Sequence, residues 1–319
     1  MSASTELVRV PVGDARVEAA FAQVLADLGS PESVRAYREE WERFVAWLRT
    51  RSTSPLAAIT LDVQTYLLEL RAKGKRQSTR ARALAVIRAI YAAFARVGLL
   101  EGANPAREAR NPKGDNAPLK TPWIEEDELV RFLNAVPDEE DFVRRRDYLI
   151  TLTLAMTGLR RAEVARVNRD AFEQHDGAWH LRVRVKGSKH GSVEIVAPLA
   201  KLLFAWADAH RIISGALFRK SPKAANAVGV STVRNAVKRQ AKRAGFVDHE
   251  KFTPHAFRRT LATIAKKRGV PLETIQKSLL HSKSDTTKRY MQLADAPDAP
   301  AKEFLDLMPK KLRSSQKPK

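Results

Sequence analysis

The sequence predicts a mainly α-helical protein with one small antiparallel β-sheet, arranged as two domains. Three observations carry that expectation. Along much of the chain, apolar residues recur at about 3.6-residue intervals, the period of a helix with one buried face. Alternation of apolar and polar residues, the mark of a half-buried strand, is clearest over 179–197. Between 103 and 122 the composition shifts to Asn104-Pro105, Asn111-Pro112, Lys113-Gly114, Pro118 and Pro122, which breaks regular elements and marks a linker. The boundaries that follow are a helical domain over 15–106, a linker over 107–121, a second domain over 122–312 and a basic tail over 313–319.

At 319 residues the chain is long enough for two ordinary cores. Apolar residues make up 44% and aromatic residues 7%, a globular composition and not that of a disordered tail. Lys and Arg total 57 against 36 acidic residues, a formal charge of +21. Such a field favours a polyanion, and nucleic acid fits best; a secreted or ribosome-associated basic protein and a membrane-surface binder are the competing readings. Apolar runs such as Ala89 to Ala95 are too short to span a bilayer. The first residues lack the basic and apolar blocks of a secretion signal. The chain has no cysteine, which excludes a disulfide framework and a thiolate zinc site. Together these features point to the cytoplasm.

The helices of the first domain follow from caps and periodicity. Ser30-Pro31 opens one with a capping hydroxyl and a proline at its first position, and Val34, Tyr37, Trp41, Phe44, Val45 and Leu48 form its apolar face. Thr60 is expected to cap a second, Leu61 to about Ala72, stopped by Lys73-Gly74. A third runs from about Ser78 to Val97 and ends at Gly98, with Leu84, Ile87, Tyr91 and Phe94 facing inward. Around its start lie Lys73, Lys75, Arg76, Arg80 and Arg82, ahead of Arg88. Lys75, Arg76, Arg80 and Arg82 are read as contacts to a DNA backbone; a solvated helix face is the plainer alternative.

In the second domain an acidic first turn, Glu125 to Glu128, suits the positive end of a helix dipole. Another helix, from about Val143 to Met156, delivers Thr157-Gly158-Leu159-Arg160, after which a further helix begins. Leu181, Val183 and Val185 alternate with His180, Arg182 and Arg184, and after a basic turn come Val193, Ile195 and Val196. This is a hairpin, with Lys186 where strand meets turn and Lys189 within the turn. A helix over 231–244 carries Arg234, Lys238 and Lys242 in register, flanked by Arg239 and Arg243. Without balancing acids, that ridge would track phosphates; a solvated face is again the alternative.

Several residues could do chemistry on a phosphate. Thr253 and Pro254 suit an N-cap and first helical position, which puts His255 in the first turn and Arg258 three residues on, on the same face. A phosphate there would meet free backbone N–H groups, a helix dipole and a guanidinium fork. Gly158 can make the turn that aims Arg160, and Glu163 can hold Arg160 or a histidine in place. His281 and Tyr290 stand nine residues apart. Tyr37, Tyr66, Tyr91 and Tyr148 fall in apolar helical patterns, whereas Tyr290 follows a polar, basic stretch. Singly, each of these features is commonly structural: a capped helix, an Arg–Glu pair, a hydrogen-bonded tyrosine.

Taken in order, Thr157-Gly158-Leu159-Arg160 with Glu163, a lysine in a hairpin, His255 with Arg258, Leu279-Leu280-His281, and Asp285-Thr286-Thr287-Lys288-Arg289-Tyr290 resemble the active site of the tyrosine recombinase (phage integrase) family. The likeness covers nearly the whole chain, because a basic helical domain also precedes the catalytic one in that family. It implies an N-terminal core-binding, SAM-like domain and a C-terminal α+β catalytic domain. Leu280 replaces the family's usual glycine, and Arg259 stands where many members have histidine.

The resemblance also implies the roles. Tyr290 would attack the scissile phosphate, leaving a 3′-phosphotyrosyl bond and a free 5′-hydroxyl. Arg160 and Arg258 would stabilise the charge on the non-bridging oxygens. Lys186, or else Lys189, would protonate the 5′-oxygen; His255 would accept the tyrosine proton and His281 would hydrogen-bond the phosphate. A phosphotyrosine stores the bond energy, so neither cofactor, metal nor ATP is expected. Expected partners are double-stranded DNA and three further copies of the chain, a homotetramer passing through a Holliday junction. Phe304, Leu305, Leu307 and Met308 in the amphipathic C-terminal segment are expected to dock on a neighbouring copy. Only about a dozen residues precede the first helix, so no arm-binding domain is expected, as in simple integrases. An integrase of a mobile element is the leading reading. The alternatives are an Xer-type resolving enzyme and a type IB topoisomerase-like relaxing enzyme.

Overall fold

A computed structural model describes residues 15–100, 102–113, 123–138, 140–184, 190–279 and 302–313. The chain divides into two compact units, Met1–Leu119 and Lys120–Lys319.

The described part of the first unit contains four α-helices: α1 (Ala15–Ala26), α2 (Pro31–Arg49), α3 (Thr60–Ala72) and α4 (Gln77–Arg96). Ser30 caps α2 as expected, its hydroxyl accepting the Ser33 N–H at 3.1 Å. Thr60 is not the cap of α3 but its first residue. The Asp62 carboxylate serves that end instead, accepting the Ile59 N–H at 2.8 Å. The core is a cluster of aromatic rings in which Trp41 meets Tyr91 edge-on at 5.7 Å and Phe44 meets Tyr66 at 5.1 Å. Rings in this geometry place a positive edge against a negative face, which adds to the area they bury.

Residues 102–113 are not free chain. Ala106 and Ala109 are fully buried in this core, and the Arg88 guanidinium donates to the carbonyls of Ala106 at 2.9 Å and Ala109 at 2.5 Å. The expected linker over 107–121 therefore begins with a stretch, 107–113, fastened to the first unit; 114–121 lies outside the described residues.

Arg80 requires the clearest correction in this unit. It is 3% exposed, and its guanidinium donates to the carbonyl of Pro112 at 2.9 Å, to Asn111 Oδ1 at 3.3 Å and to the carbonyl of Lys75. A cation so enclosed pins chain and cannot reach a DNA backbone. Lys75, Arg76 and Arg82 are exposed.

The second unit is built around α6 (Phe142–Thr157), whose residues from Arg146 to Thr157 are all buried. A helix buried on every side needs neighbours all round. They include α9 (Val230–Arg243), α10 (Pro254–Lys267), α8 (Ala197–Ala209) and strand β3 (His190–Ile195). The other described elements include α5 (Glu126–Asn134), α7 (Arg161–Ala165), α11 (Leu272–Ser278), a 3₁₀ turn (Lys302–Leu307) and α12 (Lys310–Arg313). The sheet has order β1-β2-β3, all antiparallel, with β1 at Phe172–His175 and β2 at Ala178–Arg184. The expected hairpin is β2–β3, with Leu181 opposite Val193 and Arg184 opposite His190. Strand β1 adds to that expectation. Its four residues are too few to show a period in the sequence.

Charge also organises this unit. Asp147, wholly buried on α6, accepts from Arg146 at 2.8 Å and from Arg239 of α9 at 2.7 Å. Arg146 also donates to the carbonyls of Arg219 and Lys220. A buried carboxylate paired twice avoids the penalty of an unmatched charge and fixes how α9 lies on α6.

The C-terminal segment corrects a further expectation. Phe304, Leu307 and Met308 are at most 2% exposed and belong to this unit's own core, with Leu305 packed beside them. These apolar residues need no neighbouring copy to cover them, because the chain covers them itself. Arg268 secures the segment by pairing with Asp306 at 2.8 Å and with Glu126 at the start of α5. The basic tail beyond 313 lies outside the described residues.

A candidate phosphate-binding active site

The site begins where α6 ends. Gly158 adopts the left-handed conformation, φ +63°, and its N–H returns to the Leu154 carbonyl at 2.9 Å. A Cβ placed there would lie 2.6 Å from a Leu279 methyl carbon, so glycine is required both for the turn and for the close approach. The turn releases Arg160 at the start of α7. Glu163, 4% exposed, accepts the Arg160 N–H at 2.7 Å with one oxygen and its guanidinium at 2.8 Å with the other. Of the two partners the sequence allowed Glu163, it holds Arg160.

The second wall is the start of α10. The Thr253 hydroxyl accepts the Ala256 N–H at 3.0 Å, with Pro254 at the first helical position, as expected. Phe257 and Leu261 turn into the core, which leaves His255 exposed at the mouth and Arg258 buried at the base. Arg258 donates to the Gly158 carbonyl at 2.6 Å and to that of Leu279. It thereby joins the turn bearing Arg160 to the end of α11.

Arg160, His255 and Arg258 line one cavity of about 380 Å³ with Thr253, Pro254, Arg161 and Arg234. Partial burial, then the positive charges of Arg258, Arg259 and Arg160, hold the His255 imidazole below its ordinary range. It is thereby kept neutral and able to accept a proton. Lys186, Lys189, Leu280, His281 and Tyr290 lie outside the described residues.

Three other tyrosines are committed elsewhere. The phenols of Tyr66, Tyr91 and Tyr148 donate to Glu40, the Pro55 carbonyl and the Leu133 carbonyl. Burial raises the pKa of each, which makes it a poorer nucleophile still.

The α9 ridge is less open than expected. Lys238 grips Glu250 with distances of 2.5 and 2.6 Å and Arg239 pairs with Asp147, so acids do balance part of it. Lys242 is exposed, and Arg234 turns to the cavity. Arg161 belongs to the cavity as well, although in the sequence it reads only as the neighbour of Arg160.

Residues 122–296 match the model of the phage integrase family, and residues 20–98 match that of the phage integrase N-terminal SAM-like domain. The chain belongs to the phage integrase family. Its members are tyrosine recombinases, enzymes that cut and rejoin DNA with neither metal nor ATP, and this protein is accordingly a DNA strand transferase. It is 27% identical over 271 residues to the tyrosine recombinase XerC of Pseudomonas fluorescens, covering 83% of this chain and 86% of that one. The tyrosine recombinase XerC of Mycobacterium tuberculosis (strain CDC 1551 / Oshkosh) is 28% identical over 277 residues, covering 82% and 88%.

Among solved structures the fold resembles the XerH site-specific recombinase bound to palindromic difH substrate. That likeness has a TM-score of 0.64 at 18% identity and covers 82% of this chain and 76% of that one. It also resembles the lambda integrase tetramer bound to a Holliday junction, with a TM-score of 0.63 at 14% identity, covering 87% and 76%. Both phage integrase units thus carry the expected architecture, a helical SAM-like domain and a mostly helical catalytic domain with a small antiparallel sheet. Among the described residues no helix is long and apolar enough to cross a membrane.

Proposed function

We propose that this protein is a site-specific recombinase that joins DNA to itself transiently through Tyr290 and exchanges strands between two duplexes as a homotetramer, by way of a Holliday junction. The observation that carries the reading is the convergence of Arg160, His255 and Arg258 on one cavity at the start of α10. The Tyr290 oxygen attacks the scissile phosphorus and forms a 3′-phosphotyrosyl bond as the bond to the 5′-oxygen breaks. His255 takes the phenolic proton, and Lys186, with Lys189 as the alternative, gives one to the departing oxygen. His281 hydrogen-bonds the phosphate. Arg160 and Arg258, already oriented by Glu163 and by two carbonyls, meet the charge that develops without having to reorganise.

A phenol with a pKa of about 10 is a weak nucleophile at neutral pH, and such a cationic pocket compensates for that. The linkage conserves the energy of the original bond. The protein acts in the cytoplasm, where its DNA is.

Integration of a mobile element is the leading biological role. The likeness to XerC over four-fifths of the chain supports resolution of circular DNA dimers as the second reading.

Covalent trapping tests the chemistry. Wild-type and Tyr290→Phe proteins are mixed with labelled duplex carrying the sequences that flank this gene, without metal or ATP, and resolved on a denaturing gel. A shifted band from wild type alone is expected. A band from both proteins means another nucleophile, and sequence-specific binding with no band from either means a binding protein. Product analysis then separates exchange between two duplexes from relaxation of one.

A further inference from the structure

The cavity holds more positive charge than one phosphodiester needs. Arg160, Arg161, Arg234 and Arg258 all line it, and the carboxylate of Glu163 is spent on Arg160. Two of the four guanidiniums are committed within the fold, Arg160 to Glu163 and Arg258 to the carbonyls of Gly158 and Leu279. The guanidiniums of Arg161 and Arg234 are exposed and, among the described residues, make no hydrogen bond or ion pair, although the charge of Arg234 is felt at the Glu250 carboxylate.

Their positions are nevertheless fixed. Arg161 opens α7, directly after the residue that Glu163 anchors. Arg234 stands on α9 one turn before Lys238 and Arg239, which are tied to Glu250 and Asp147. The helix therefore cannot rotate Arg234 away without parting Arg239 from the buried Asp147. The volume, about 380 Å³, matches roughly a dozen waters at about 30 Å³ each, more than a single phosphate group fills. Along a DNA strand the next charge follows within about 3.4 Å of helix axis.

We infer that Arg161 and Arg234 grip the phosphate adjoining the scissile one on the cleaved strand. They form a second anion subsite that sets the register of the strand over the reacting phosphorus. This rests on the cavity being the scissile-phosphate site. Arginine suits the task because its planar fork holds two phosphate oxygens at once and so transmits position as well as charge.

The test pairs a protein change with a matching change in DNA. Single-turnover cleavage is timed on the duplex that traps wild type covalently, and on two versions with an uncharged methylphosphonate at one or the other phosphate adjoining the cut. Wild type should be slowed about tenfold by one of the two, and the Arg161→Gln/Arg234→Gln protein should cleave that DNA and the unmodified DNA at rates within about twofold of each other. Equal slowing of both proteins at each position, or no slowing of wild type at either, overturns the inference. If the double variant cleaves too slowly to time, the same cycle is read from equilibrium binding. Arg161→Lys/Arg234→Lys, which keeps charge and loses the fork, should fall between wild type and the Gln pair. Failure of wild type to trap unmodified DNA at all would instead defeat the reading of the cavity, a separate outcome.

Discussion

Arg258 donates to the carbonyl oxygen of Gly158 at 2.6 Å, across 100 residues of sequence, while also donating to the carbonyl of Leu279. One side chain thus closes the turn that aims Arg160 and secures the end of α11. Arg258→Lys keeps the charge but lacks a fork to reach two carbonyls, leaving a buried acceptor unsatisfied. Its expected cost is about 2 kcal/mol, seen as a Tm lowered by roughly 4–8 °C for a domain of this size. Cleavage should fall by at least about a hundredfold while DNA binding changes little. An unchanged melting curve would show that the two carbonyls do not depend on the arginine.

Gly158 should resist substitution more than other left-handed glycines of the same unit. Gly245 has φ +75° and open space for 4 Å around the point where a Cβ would stand, whereas at Gly158 that point is 2.6 Å from Leu279. Gly245→Ala should cost only the backbone strain, about 1–2 kcal/mol. Gly158→Ala should cost at least about 1 kcal/mol more, since Leu279 is packed in the core and must shift. Urea unfolding of the two variants gives the comparison directly, and equal midpoints would refute the crowding.

The depressed pKa of His255 gives a pH dependence of known sign. As pH falls, the unfolded chain takes up this proton first, near its ordinary value of about 6.5. Stability linked to His255 is therefore complete above that value and is lost as pH drops through the lower folded pKa. His255→Gln should flatten that part of a melting series taken from about pH 5 to 7.5. By NMR, the imidazole should titrate below about 6.5 in free protein and move upward when DNA is added, because a phosphate offsets the charges of Arg258, Arg259 and Arg160. A free-protein midpoint above the ordinary value would show that burial and the neighbouring arginines do not govern its titration.

Arg80 and Arg82 lie two residues apart and should behave as opposites. Arg80→Ala strips three acceptors of their donor and should destabilise the first unit by about 2 kcal/mol. Arg82→Ala, at an exposed site, should leave the Tm within a degree or so and reduce the slope of log binding constant against log salt by about 0.9. Melting curves and a salt titration of each variant would separate the two, and matching behaviour would undo the distinction.

These pairs also show what a sequence reveals. The hydroxyls of Ser30 and Thr253 bond within their own first turns, and the alternation over β2 and β3 is a neighbour-to-neighbour pattern, so local reading finds them. Arg80 carries the same local signature as Arg76 and Arg82. Its burial depends on Asn111 and Pro112, some thirty residues away. Lys238 reads as unpaired in the sequence because Glu250 follows twelve residues later, after a turn. Phe304 and Met308 read as exposed because their cover comes from elements far back in the chain. In the site, Arg160, His255 and Arg258 are legible as residue types in order. The presence of Arg161 and Arg234 beside them depends on how α7 and α9 lie against α10, which no short motif encodes.

Arg268 has a consequence for the second unit as a whole. Its guanidinium holds Glu126, at the head of α5, and Asp306, in the last turns of the unit, so the beginning and the end of that stretch lie within the span of one side chain. Among the described residues, neither segment can peel away without breaking a pair to the same guanidinium. Ends that meet can also be spliced. A circularly permuted unit, sealed there and reopened at the exposed Asp176-Gly177 turn between β1 and β2, should fold as the native order does.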